Sequence, residues 1–184
     1  DQVMPKRCGH LDGKSLIGIE AMERKIAAAC AARQDPDFMI IARCDARAVE
    51  GFQESVERGQ RYLAAGADAI FAEAMQSRDE FARYAEEVKG PLLANMTEFG
   101  KSPYLTVDEF SELGYNMVIF PMSAFRAMMK TVEALFRELR EKGTLESALP
   151  RMQTREELYQ LLDYDGYTQL DAELAARFPE RDTQ

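Results

Sequence analysis

The chain has no tryptophan, one histidine and only three cysteines in 184 residues. With His10 as its sole imidazole, any histidine-based metal site or Ser-His-Asp triad must use that residue. Cys8, Cys30 and Cys44 are odd in number and lack CxxC spacing. That argues against a disulfide scaffold or a thiolate zinc site, and points to a reducing, cytoplasmic compartment. No apolar run approaches the roughly 18–20 residues needed to cross a bilayer, so no membrane partner is expected. Positive charge is also scarce: 23 Lys+Arg face 32 Asp+Glu, a net charge of −9. Without a basic stripe, nucleic acid is a poor partner. Neither GxGxxG nor GxxxxGK[ST] occurs. No Asp-x-Asp pair follows a strand to hold Mg²⁺ through oxygen ligands.

What the chain does contain is a hydrophobic fraction of 46%, enough for a packed core. Short continuous apolar runs, Phe38–Arg43, Asp68–Glu73, Pro91–Asn95 and Asn116–Phe120, read as strands of a parallel sheet buried on both faces. Helical periodicity fills the gaps, at about Ile19–Arg33, Gly51–Ala65, Arg78–Val88 and Ala124–Lys142, then about Arg155–Leu162 and Thr168–Arg177. Ser77-x-x-Glu80, Thr106-x-x-Glu109 and Thr154-x-x-Glu157 match the capping box. Gly66, Gly90, Gly114 and Gly143 suit the position after a helix. The methionines are expected mainly as core filler on the long helix.

Four βα units fit either an open doubly wound sheet or half of a (β/α)8 barrel. Polar residues at every strand's carboxyl end, with no glycine-rich nucleotide turn, favour the barrel. The expected class is α/β: the C-terminal half of a TIM-type barrel followed by C-terminal helices. A loop spans 1–14, the half barrel 15–143 and the helices 144–184. A first residue other than Met adds the expectation of a segment of a longer polypeptide.

Lys6-Arg7-Cys8-Gly9-His10 is the most informative stretch. Cations around one thiol favour its thiolate, and Gly9 lets the backbone bend close to a ligand. The polar run Leu11-Asp12-Gly13-Lys14 extends the loop, which could carry a mobile acid/base group. An exposed basic loop with an incidental cysteine fits the same residues. Arg43 can fork onto a substrate carboxylate or pair internally with Asp45 or Glu73. Glu73 ends an apolar strand, where a charge needs a partner. Asn95 and Thr97 suit the positioning of carboxylates or plain loop capping. Cys44 reads as core filling. Arg126 and Arg155 read as ordinary helix arginines.

In order, KRCGH (6–10), ARCDA (42–46), FAEA (71–74), ANMTEFG (94–100), PMSAFRAM (121–128) and MQTREELY (152–159) resemble the 2-methylisocitrate lyases, of the isocitrate lyase/phosphoenolpyruvate mutase superfamily. The resemblance implies a (β/α)8 barrel, Mg²⁺, and cleavage of 2-methylisocitrate, a small tricarboxylate, to pyruvate and succinate in propionate catabolism. It implies Cys8 as acid/base, with Lys6 and His10 as basic partners. It further implies substrate contacts from Cys8, Gly9, Arg43, Glu73, Asn95, Met96, Thr97, Arg126 and Arg155. Metal ligands are expected upstream of Asp1, none in this chain. A homotetramer that exchanges C-terminal helices is implied too. Met96 and Cys44 depart from the family pattern. Isocitrate lyase and 2,3-dimethylmalate lyase remain alternatives, as does a non-catalytic half barrel that serves as an assembly partner.

Overall fold

The computed structural model describes residues 1–178. The last six positions of the expected C-terminal segment, 179–184, lie outside them. Two compact units divide at Arg126/Ala127, within one long helix.

The first unit runs α1 (Ile19–Ala32), β1 (Ile41–Cys44), α2 (Phe52–Ala64), β2 (Ala69–Ala72), α3 (Arg78–Glu87), β3 (Leu92–Asn95), α4 (Val107–Glu112) and β4 (Met117–Ile119), and then enters α5 (Ser123–Lys142). All neighbouring strands pair in parallel, in the order β1-β2-β3-β4. Consecutive parallel strands, each followed by a helix, form the half-barrel arrangement of βα units. Register couples Arg43 to Phe71, Phe71 to Leu93 and Asn95 to Ile119.

Strand residues alternate between two faces. Ala42, Cys44, Ile70, Ala72, Leu92, Ala94 and Met96 join the core with helix residues Ile26, Val56, Tyr62, Phe81, Tyr84 and Phe110. Phe81, Phe110 and Tyr115 meet edge to face, with ring centroids 5.2–5.7 Å apart. Such geometry adds about 0.5–1.5 kcal/mol per pair beyond area burial. The opposite sheet face carries Arg43, Phe71, Glu73, Leu93, Asn95 and Thr97. All polar strand-end residues therefore share one side of the sheet and one end of its strands.

The first strand begins three residues later than expected. Phe38 and Met39 are exposed, because the ladder starts only where Ile41 meets Ala69. The Asp68 carboxylate accepts the Ile40 N–H (2.7 Å) and Arg33 (2.7 Å), closing the strand's entry. Thr106 and Thr154 form complete capping boxes. Ser77 accepts the Glu80 N–H, but the Glu80 carboxylate turns to Arg47 instead of completing its box. Gly66, Gly114 and Gly143 adopt positive φ, whereas Gly90 does not.

The methionine expectation needs correcting. Met128 and Met129 on α5 are exposed, and no α5 residue is buried. The buried methionines are Met75 and Met96, beside the sheet. Periodicity identifies an apolar stripe but not what covers it. The second unit continues through a 3-10 turn at Glu146–Arg151 to α6 (Arg155–Leu161) and α7 (Tyr164–Arg177). Among the described residues no helix is long and apolar enough to cross a membrane.

Candidate active site

A cavity of ≈ 250 Å³ opens at the carboxyl-terminal ends of the strands. Residues 6–10 form one wall, Arg43, Glu73, Asn95 and Thr97 the floor, and Pro121 with Met122 an apolar side. Three Lys or Arg side chains face one carboxylate, Glu73. The pocket is thus cationic in a chain of net charge −9, which suits an anionic ligand.

Glu73 organises the floor and is 1% exposed. Arg43 Nη2 lies 3.0 Å from its Oε2, and Asn95 Nδ2 donates to Oε1 at 3.2 Å. The Asn95 nitrogen faces the carboxylate because two acceptors would repel. Asn95 Oδ1 is buried and finds no donor among the described residues. A ligand hydroxyl could supply one. Ala74, immediately after Glu73, holds φ at 60°, a conformation that costs an L residue about 1–2 kcal/mol. Such strain persists where the surroundings enforce it.

Both internal pairs considered for Arg43 occur. Its Nε and Nη2 fork onto Asp45 (2.8 and 3.0 Å), while Nη2 also reaches Glu73. The fork expected to greet a substrate is therefore already occupied, leaving Nη1 as the edge for a ligand. Burial alone would raise the Asp45 pKa and lower that of Arg43. Their hydrogen bonds and mutual attraction outweigh it, so Asp45 falls below its ordinary value and Arg43 rises above.

The loop is held down on this floor. A Cβ on Gly9 would fall 2.5 Å from Arg43 Nη2 and closer still to Glu73 Cγ, so only glycine permits the approach. His10 Nδ1 accepts the Lys101 N–H (2.9 Å), and Nε2 sits 2.9 Å from Glu73 Oε1, off the line of a hydrogen bond. An accepting Nδ1 requires the proton on Nε2. Lys101 Nζ also pairs with Asp12 (2.6 Å). At the loop's base, residues 1–3 pair with 15–17, and the Gln2 side chain bonds both the N–H and the C=O of Arg7 (2.8 and 2.9 Å).

The candidates separate clearly. Lys6, Cys8, Gly9, His10, Arg43, Glu73, Asn95 and Thr97 meet around the cavity, with Cys8 exposed. Met96 points to the opposite sheet face and accepts the Leu105 N–H through sulfur (3.4 Å). Only its backbone can reach a ligand in the pocket. Arg126 donates to the Glu98 carbonyl and lies over Phe99 (5.3 Å), outside the cavity lining. Arg155 opens α6 in the second unit and is exposed. Cys44 is core, its thiol pushed up to about 11 by burial. Gln2, Lys14 and Lys101 were not singled out from sequence. Gln2 and Lys14 bond backbone groups of the folded loop, and Lys101 meets His10 and Asp12 from a distant segment, so none leaves a local pattern.

Among the described residues no three His, Cys, Asp or Glu side chains could hold a metal. The pocket's carboxylate is committed to Arg43, Asn95 and the approach of His10. These residues by themselves do not fit a Mg²⁺ site.

Parallel βα units with a charged pocket at their carboxyl-terminal rim, under a cysteine-bearing loop, define a (β/α)-barrel protein of the rim-site kind. The phosphoenolpyruvate phosphomutase family profile matches residues 5–140, and the chain belongs to that family, within the phosphoenolpyruvate mutase/isocitrate lyase superfamily. It is 55% identical over 180 residues to the 2-methylisocitrate lyase of Aeropyrum pernix, covering 98% of this chain and 58% of that protein. A solved 2,3-dimethylmalate lyase superposes with a TM-score of 0.87 at 34% identity, over 99% of this chain and 62% of its own. Phosphonopyruvate hydrolase, solved with oxalate and Mg++, gives 0.78 at 33% identity, over 98% and 61%. The chain spans about three-fifths of the length of these relatives.

Proposed function

We propose that the full protein is a carbon–carbon lyase that cleaves 2-methylisocitrate to pyruvate and succinate. The observation that carries the reading is the seating of Cys8-Gly9-His10 over Arg43, Glu73, Asn95 and Thr97 in one cationic pocket. Its similarity to curated 2-methylisocitrate lyases supports the choice of substrate.

In this reaction the substrate hydroxyl loses its proton to a base and becomes the carbonyl of pyruvate. The adjacent C–C bond breaks, and its electron pair passes to the carbon of the succinate half as an aci-carboxylate. Cys8 gives that carbon the proton that completes succinate. Lys6, Arg43 Nη1 and loop amides stabilise the growing negative charge. Asn95 Oδ1 accepts a hydrogen bond from the substrate, and Thr97 flanks it. His10 and Glu73 hold the loop over the floor, excluding water. Arg126 and the Met96 backbone are further proposed as contacts for the substrate carboxylates. Mg²⁺ is the proposed cofactor, held by ligands outside the described residues. The protein is further proposed to work in the cytoplasm, in propionate catabolism, as a homotetramer with exchanged C-terminal helices.

The test is Cys8→Ser in the full chain, which is expected to lower turnover by about 10²–10⁴-fold while substrate still binds. Wild-type turnover in this variant would remove Cys8 from the chemistry. The 2,3-dimethylmalate lyase likeness supports a second reading, so both substrates are assayed side by side. Cleavage of neither would leave a non-catalytic assembly role.

A further inference from the structure

Lys14 is the only lysine buried among the described residues. Its ammonium has no carboxylate partner there. It donates instead to the carbonyls of Gly9 and Leu11, the latter at 3.0 Å. A charge withdrawn from water onto neutral dipoles is costly, so some benefit must offset it. The Leu11 N–H donates to the Cys8 carbonyl at 3.0 Å, closing residues 8–11 into a turn with Lys14 inside it.

In a trans peptide the carbonyl and the following N–H point in opposite directions. Drawing the Gly9 carbonyl toward Lys14 therefore aims the His10 N–H away from it. Among the described residues the N–H groups of Cys8, Gly9 and His10 find no acceptor, and all three residues line the cavity. Successive unpaired N–H groups form a concavity suited to anions. The Gln2 side chain and the pairing of residues 1–3 with 15–17 hold the loop's base independently of Lys14.

We infer that Lys14 is a positioning residue. From behind the loop its ammonium sets the Cys8–His10 turn, so that the thiol and the backbone donors face an anionic substrate. Its charge also adds to the positive field of the pocket. The kinetic part of this inference rests on the lyase reading, and the conformational part does not.

The experiment uses Lys14→Met in the full protein, which keeps the aliphatic stem and removes the donors. Tryptic cleavage after Lys6 and Arg7, followed by mass spectrometry, is expected to accelerate ~10-fold or more as the turn loosens. On 2-methylisocitrate, kcat is expected to fall ~10–100-fold, because small misplacements of reacting groups cost about that much. The melting temperature should move by only a few degrees. In Lys14→Ala, added ethylammonium is expected to restore part of kcat in a saturable way. If the Met variant does not fold, Lys14→Gln, which keeps a donor without the charge, is read in its place. Cleavage after Arg7 and kcat both within twofold of wild type would overturn the inference. So would a kcat loss that only follows melting temperature and is not recovered by ethylammonium. If wild type cleaves no 2-methylisocitrate, the lyase reading fails, while the tryptic comparison still decides the role of Lys14.

Discussion

Arg43 makes three contacts to two carboxylates, and each has a separate consequence. Arg43→Lys keeps a charge but cannot fork onto Asp45 and reach Glu73 together. We expect kcat/KM to fall roughly 10–100-fold, the equivalent of one charge-assisted hydrogen bond of about 1.5–3 kcal/mol. Steady-state kinetics that match wild type would make Arg43 a purely structural ion pair. The lowered pKa of Asp45 sets the sign of a pH effect. A depressed carboxyl stabilises the folded state fully above its unfolded value of about 3.9, and the contribution is lost as pH falls through the lowered value. The gap in urea midpoint between wild type and Asp45→Asn should therefore shrink as pH drops below about 4. Cys44, buried and raised to about 11, stays a thiol at neutral pH. Iodoacetamide should label exposed Cys8 in the native protein but reach Cys44 only after unfolding. Labelling of Cys44 at the rate of Cys8 would contradict its place in the core.

At the scale of elements, the sheet sorts its residues by parity. Asn95 and Thr97 face the cavity and Met96 the helices, because successive side chains on a strand alternate. That sorting was available once the tripeptide was assigned to a strand end, yet the family resemblance carried all three residues together. The loop depends on a close approach instead. Gly9→Ala would drive a methyl group into Arg43 and Glu73, so the loop must lift. We expect turnover to fall by about 10²-fold with little change in melting temperature, since the core cluster does not include Gly9. Unaltered turnover would mean that the loop works in a raised position. Phe110, by contrast, anchors the aromatic triad, and Phe110→Ala should cost about 3–5 kcal/mol of stability by urea unfolding.

At the scale of the whole molecule, the apolar residues that remain uncovered are informative. Leu158, Leu161, Leu162, Leu170 and Leu174 are all at least 40% exposed, and the proposed helix exchange would cover them. Under the proposed helix exchange, deleting the residues after Thr154 should reduce the solution mass measured by light scattering to that of smaller species. An unchanged oligomer would show that these helices do not hold the subunits together. Strand and helix order, two of the three capping boxes and the chemistry-bearing loop were legible in the chain because they depend on local periodicity, local capping hydrogen bonds and residue type. Its place beside a buried strand likewise marked Cys44 as core, the composition marked a globular chain, and the alternation of strand and helix patterns marked the α/β class. The tertiary structure alone decided which polar strand ends share a pocket, that Asp45 already occupies the Arg43 fork, and that His10 meets Lys101 from 91 positions away. It also showed Lys14 closing on the carbonyls of its own loop. Distant groups meet only when parallel pairing sets strand register and the loop folds onto the rim, and no spacing along a single chain encodes a distance in space.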